Sequence, residues 1–154
     1  MKLRRLAGSS LAIGSLVVVA GCGTHAAGGD PGGRRLNELA ADPVFAAVPH
    51  GAARVRTTKT PAKYSDPGFT GGGWHGPSVV VTIRSAGSTA DVYRFYRERA
   101  ASSGWHATAK GALGLVDRWS KSYPDGAAAT LDLTPTNATQ GLYRLTGSIA
   151  PVSS

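Results

Sequence analysis

One stretch constrains the rest of the chain: Ser88 to Trp105, "STADVYRFYRERAASSGW", is the clearest helix in the sequence. Ser88 and Asp91 form a capping box, in which the Ser88 side chain accepts from the amide of residue 91 and the Asp91 carboxylate sits at the positive helix end. Val92, Phe95, Tyr96, Arg99 and Ala100 recur at i, i+3, i+4 spacing and predict a core-facing stripe. Tyr93, Arg94 and Arg97 then fall on a solvated basic and aromatic face, with Glu98 beside them. Gly104 supplies a left-handed C-cap, and Trp105 closes over the last turn. A single apolar stripe has to be buried against another layer, and the segments on either side alternate with the period of a strand.

The strand before the helix is "SVVVTIRS" (78–85), with Val79, Val81 and Ile83 on one face and Val80, Thr82 and Arg84 on the other. Beyond the helix, strands are predicted over 105–110 and 115–122. "YPDG" (123–126) is a turn with Pro at its second position. Residues 127–133 pair back, with Ala127, Ala129, Leu131 and Leu133 on one face, and residues 141–150 follow with Tyr143, Leu145 and Ile149 together. Upstream, "ARVRTTKT" (53–60) reads as an edge strand stopped by Pro61. Residues 34–49 predict a short helix or two half-helices, with Asp42 as N-cap and Pro43 in the first helical position. The fold class expected is α+β: a two-layer sandwich with one main helix over about 88–103. It packs on an antiparallel sheet of about 5–6 strands, with a short N-terminal helix added.

Residues 61–77, "PAKYSDPGFTGGGWHGP", interrupt this pattern as a long Gly/Pro loop carrying Tyr64, Phe69, Trp74 and His75. Loops of this length are often functional, so these four residues form a candidate binding loop. The competing expectation is that the aromatics staple the loop to the sheet. The glycines at 71–73 do not make a phosphate loop, because no GxxxxGK[ST] pattern is present.

Catalytic patterns are missing. The acids are isolated in sequence, and Asp42, Asp91 and Asp125 are taken up by caps and turns. His50, His75 and His106 have no metal-ligand spacing, so neither metal nor cofactor is expected. There is no GxSxG elbow. A non-enzymatic module is the leading expectation, and a hydrolase the least favoured. Asn137-Ala138-Thr139 reads as a polar hairpin tip rather than a glycosylation site.

The N-terminus is more specific. "MKLRR" is a positive n-region, and "LAGSSLAIGSLVVVA" is an apolar run of 15 residues, the layout of an export signal. Val19-Ala20-Gly21-Cys22 resembles the lipobox of bacterial lipoproteins. The resemblance implies a diacylglyceryl group on the Cys22 sulfur and cleavage between Gly21 and Cys22. The mature chain would then be held by lipid (palmitate-type acyl chains) to the outer, extracytoplasmic face of the cell membrane. Two chains anchor stably where one does not. The predicted organisation is a signal peptide over 1–21, a flexible tether over 22–33 and a single domain over 34–154. A Gly-rich tether of this length spans roughly 15–20 Å.

The formal charge is +8; with residues 1–21 removed, 14 basic and 9 acidic side chains remain. That excess suits an anionic membrane surface or cell-wall polymer. No Lys/Arg run exceeds two residues, and nucleic acid is not an expected partner. "FYRERAASSGWH" followed by "RWSKSY" and "ATLDL" also resembles small uncharacterised lipoproteins of high-GC Gram-positive bacteria, which implies fold and location but no activity. The expected role is therefore an interaction or accessory module of the envelope, partnered by an envelope protein. The alternative is a binder of a small ligand or cell-wall polymer through the 61–77 loop.

Overall fold

The computed structural model describes residues 33–65, 73–109 and 116–150. Two short helices come first, α1 (Arg34–Ala40) and α2 (Pro43–Ala46). They are separate because Asp42 is extended, with φ −60° and ψ 131°, and its side chain accepts from the Val44 amide while Pro43 occupies the first turn. Proline needs no amide partner there, so the break costs little. The strands β1 (Ala52–Thr60), β2 (Lys63–Ser65), β3 (Gly73–His75) and β4 (Ser78–Ser85) precede the main helix α3 (Thr89–Ser102). After it come β5 (His106–Ala109), β6 (Asp117–Ser122), β7 (Ala128–Asn137), a 3-10 turn (Ala138–Gln140) and β8 (Leu142–Ile149).

Six strands form one antiparallel sheet in the order β1-β4-β8-β7-β6-β5. The fold is the expected α+β sandwich, with β1 on the expected edge. α3 carries the chain from β4 to the far edge, and β5 to β8 meander back to β4. All three helices cover one face. Val79, Val81 and Ile83 of β4, Leu131 and Leu133 of β7, and Tyr143 and Leu145 of β8 are buried against Leu39, Val44, Phe45, Val92, Tyr96 and Trp105. Phe45 and Leu39 lie so close over β8 that only glycine fits beneath them: a Cβ on Gly147 would run into Phe45 Cζ and stand 3.3 Å from Leu39 Cδ1. The opposite face carries the alternate residues, and among the described residues no helix lies on it.

α3 is capped as its sequence dictates. The Ser88 Oγ accepts from the Asp91 amide at 3.2 Å and donates to Asp91 Oδ2 at 2.6 Å. At the other end Gly104, with φ +79°, lets the Trp105 amide reach the Ala100 carbonyl at 3.0 Å and its own amide reach Ala101 at 3.1 Å. Two carbonyls of the last turn, Ala100 and Ala101, thereby gain partners beyond the helix.

Three expectations need correction. Arg99 is exposed, and the buried arc of α3 is Val92, Tyr93, Tyr96 and Ala100, with Phe95 half-buried. The arc turns toward Tyr93 because its ring meets Tyr143 edge-on, with centroids 6.4 Å apart, so Tyr93 belongs to the core and not to a solvated face. The first helical segment stops at Ala46 rather than Pro49, where Ala47 turns extended with ψ 145°. Residues 61–77 are not all loop, since β2 and β3 pair as a short hairpin with Tyr64 opposite Trp74 and Lys63 opposite His75.

Candidate functional site

Of the sequence-predicted site residues, Gly21, Cys22 and Phe69 lie outside the described residues. Tyr64 and His75 sit on the two strands of the hairpin, and Trp74 is the register partner of Tyr64. Tyr64 is 53% exposed. Where the hairpin leaves the main sheet, a groove of about 430 Å³ opens, lined by Thr60, Lys63, His75, Ser78, Thr130 and Ser148 among others. Thr60, Ser78, Ser148 and Thr130 are successive cross-strand partners on the uncovered face. The sequence motif thus leads to a hydroxyl-rich groove with a cationic rim.

A second concavity was not legible in the sequence. The C-terminal half of α3 crosses β5 and β6 above a cleft of about 180 Å³ walled by Ala101, Ala107, Ala109, Trp105 and Trp119. Its polar side is an ion pair between Arg97 and Asp117, which also line it. Arg97 Nε donates to Asp117 Oδ2 at 2.6 Å and Nη2 to Oδ1 at 3.1 Å, a bidentate fork. Asp117 is 1% exposed while the Arg97 side chain is 45% exposed, so the arginine is the solvent side of the pair. The hydrogen bond and the carboxylate charge raise the Arg97 pKa further above its ordinary value.

Tyr93 lies beside this pair, its ring under the Arg97 guanidinium at 5.8 Å. Its hydroxyl is buried and has no hydrogen-bond partner among the described residues. Burial, and then the charge on Asp117, push that hydroxyl up to about 12. It is a proton donor at any ordinary pH and cannot serve as a base. Asp117 could have been suspected from sequence only as a charge at the start of a strand whose next inward residue is Trp119.

A third groove, of about 380 Å³, has His50, Asp91, Arg94 and Glu98 on its wall. Asp91 and Glu98 are seven residues apart on α3, which separates them by ~10 Å along the axis. Asp91 is already engaged: Arg94 Nη2 donates to it at 2.5 Å, and the Ser88 and Arg94 contacts hold its carboxyl below the usual range. Its chemistry is that of a cap. Among the described residues no three His, Cys, Asp or Glu side chains gather in a way that could hold a metal ion. None of the described helices is long and apolar enough to cross a membrane.

Asp42 ties these parts together. Beyond capping α2, its Oδ2 accepts from Trp105 Nε1 at 3.2 Å and from Lys121 Nζ at 2.7 Å, and Lys121 also donates to the Ser103 carbonyl at 2.8 Å. One buried carboxylate therefore fixes α2, the α3–β5 corner and β6 relative to one another. Comparison with protein-family models, curated proteins and solved structures found no match.

Proposed function

We propose that this chain is an extracytoplasmic lipoprotein, held at the outer face of the cell membrane by a diacylglyceryl group on Cys22. In this reading its α+β domain is a non-enzymatic interaction or accessory module of the envelope. The observation that carries the reading is Val19-Ala20-Gly21-Cys22 at the end of an apolar run preceded by Lys2, Arg4 and Arg5. The described core runs from Leu36 and Leu39 onward, which is compatible with a tethered module.

A second reading, binding of a small ligand or cell-wall polymer through the 61–77 segment, is favoured by the groove between the hairpin and the sheet. Its hydroxyls (Thr60, Ser78, Thr130, Ser148) and cation Lys63 suit a hydroxylated or anionic polymer. The two readings are compatible, since the anchor sets location and the groove a contact.

Metabolic labelling of producing cells with an alkyne fatty acid tests the anchor. Wild type takes up the label and Cys22→Ala loses it together with its membrane fractionation. Equal labelling of the two overturns the reading.

A further inference from the structure

We infer that the uncovered face of the sheet holds an anion site, built by Arg56, Arg84 and Arg144 around Thr82, that takes a phosphate group of an extended anionic envelope polymer. The placement follows from the register. Arg56 on β1 and Arg144 on β8 both stand directly opposite Thr82 on β4, one on each side, and Arg84 is two residues further along β4. All four therefore share the uncovered face, whose core-side neighbours Val81 and Ile83 are buried. With strands ~4.8 Å apart and ~3.4 Å per residue, the three arginine Cα atoms outline a triangle of roughly 8–10 Å a side. Arginine stems are long enough to cross half that distance, so three planar donors can converge above one hydroxyl. Three cationic forks about a tetrahedral anion is the arrangement that phosphate oxygens fill best.

The electrostatics single out this corner. The same face carries a fourth arginine, Arg118, which is neutralised by Asp132 through a bidentate pair at 2.7 and 3.0 Å. Asp132 is the one acid on this face among the described residues, and it is occupied. Arg56, Arg84 and Arg144 are all exposed, and none makes an ion pair within the described structure. Clustered like charges on neighbouring strands cost stability, and an incoming anion removes that cost. Thr58, Thr134 and Thr146 add hydroxyls around the triangle.

A polymer is favoured over the bilayer by the side on which Gly33 enters the domain. Gly33 caps α1 beside Asp125 in the β6–β7 turn, which Arg34 and Arg35 both contact. Arg144 stands opposite Thr134, six residues along β7 from Ala128 at that turn, or roughly 20 Å. It also lies on the face away from α1. A tether entering at Gly33 joins the domain on the side away from the arginines. This orientation rests on the lipoprotein reading; the anion site does not.

Binding of the full chain, purified in detergent, to long-chain inorganic polyphosphate tests the site, with anionic phosphatidylglycerol vesicles as the second probe. Arg56→Gln/Arg84→Gln/Arg144→Gln weakens polyphosphate binding roughly thirtyfold, about threefold for each exposed charge contact. It also flattens the dependence of log affinity on log salt. Lys59→Gln/Arg94→Gln/Arg99→Gln, which removes the same charge elsewhere, leaves binding near wild type. Equal losses in the two triple variants, or no polyphosphate binding by wild type, overturn the site. Arginine-dependent binding to vesicles without binding to polyphosphate overturns the polymer and leaves a lipid surface. Cys22→Ala separates the two proposals, because it abolishes fatty-acid labelling and leaves polyphosphate affinity intact.

Discussion

The two faces of the sheet are built from alternate residues of the same strands, yet an ion pair means something different on each. β6 makes the comparison within a dipeptide. Asp117 points toward the helices, is 1% exposed and pairs with Arg97, whereas Arg118 points the other way, is 53% exposed and pairs with Asp132. Both pairs are bidentate with similar distances. On the covered face the carboxylate has lost its water and depends on the guanidinium. On the open face water remains an alternative partner to both groups. Geometry alone does not rank these two interactions; burial does.

The sharpest way to break the comparison is to add volume on each face of β8. Gly147→Val forces a side chain into Phe45 and Leu39 and is expected to cost about 3 kcal/mol, the upper range for overpacking. Thr146→Leu, one residue away on the open face, leaves the denaturation midpoint nearly unchanged. Comparable losses in urea melts would show that the open face is covered in solution.

The ion pairs give a smaller contrast. Arg97→Gln removes the bidentate guanidinium contact from a carboxylate in a nearly dry site and is expected to cost about 2 kcal/mol. That is less than the ~3–5 of a fully enclosed pair, because water reaches the Arg97 side. Arg118→Gln is expected to shift the midpoint within error. Equal effects would refute the ranking by burial.

The smallest effect is silent at neutral pH. Burial pushes both Tyr93 and Tyr96 up to about 12. A tyrosine in the unfolded chain loses its proton near 10. Between about pH 10 and 12 the unfolded state therefore binds fewer protons than the folded one, and stability, intact below 10, declines through that window. Tyrosinate absorbance should show a late phase that coincides with loss of the circular dichroism signal. A single early phase with the fold intact would remove both residues from the buried set.

Much of the covered face was legible in the chain because burial leaves a periodic trace. Val79, Val81 and Ile83, the Ser88 cap, the Gly104–Trp105 closure and the Asp42–Pro43 break are local signals, and each led to its element. Tyr93 and Arg99 were exchanged because a helical stripe read from sequence has no fixed edge until the opposing layer, here Tyr143, decides it. The sites were less legible. Arg97 and Asp117 are 20 residues apart with the end of α3 and β5 between them, and no local spacing joins them. Arg56, Arg84 and Arg144 are further apart still, and only the order β1-β4-β8 brings them together. The 61–77 segment gave its chemistry in sequence, whereas its groove required Thr130 and Ser148 from distant strands.

The order of the sheet has a consequence for how this domain comes into being. β8 lies between β4 and β7, yet it comes last in sequence among the described strands. Until Leu142–Ile149 is present, the β1–β4 arm and the β5–β6–β7 meander have no shared edge. A chain made from its N-terminus therefore carries two separate half-sheets until β8 emerges. The strand that completes the sheet also completes the layer over Gly147, so assembly closes with β8.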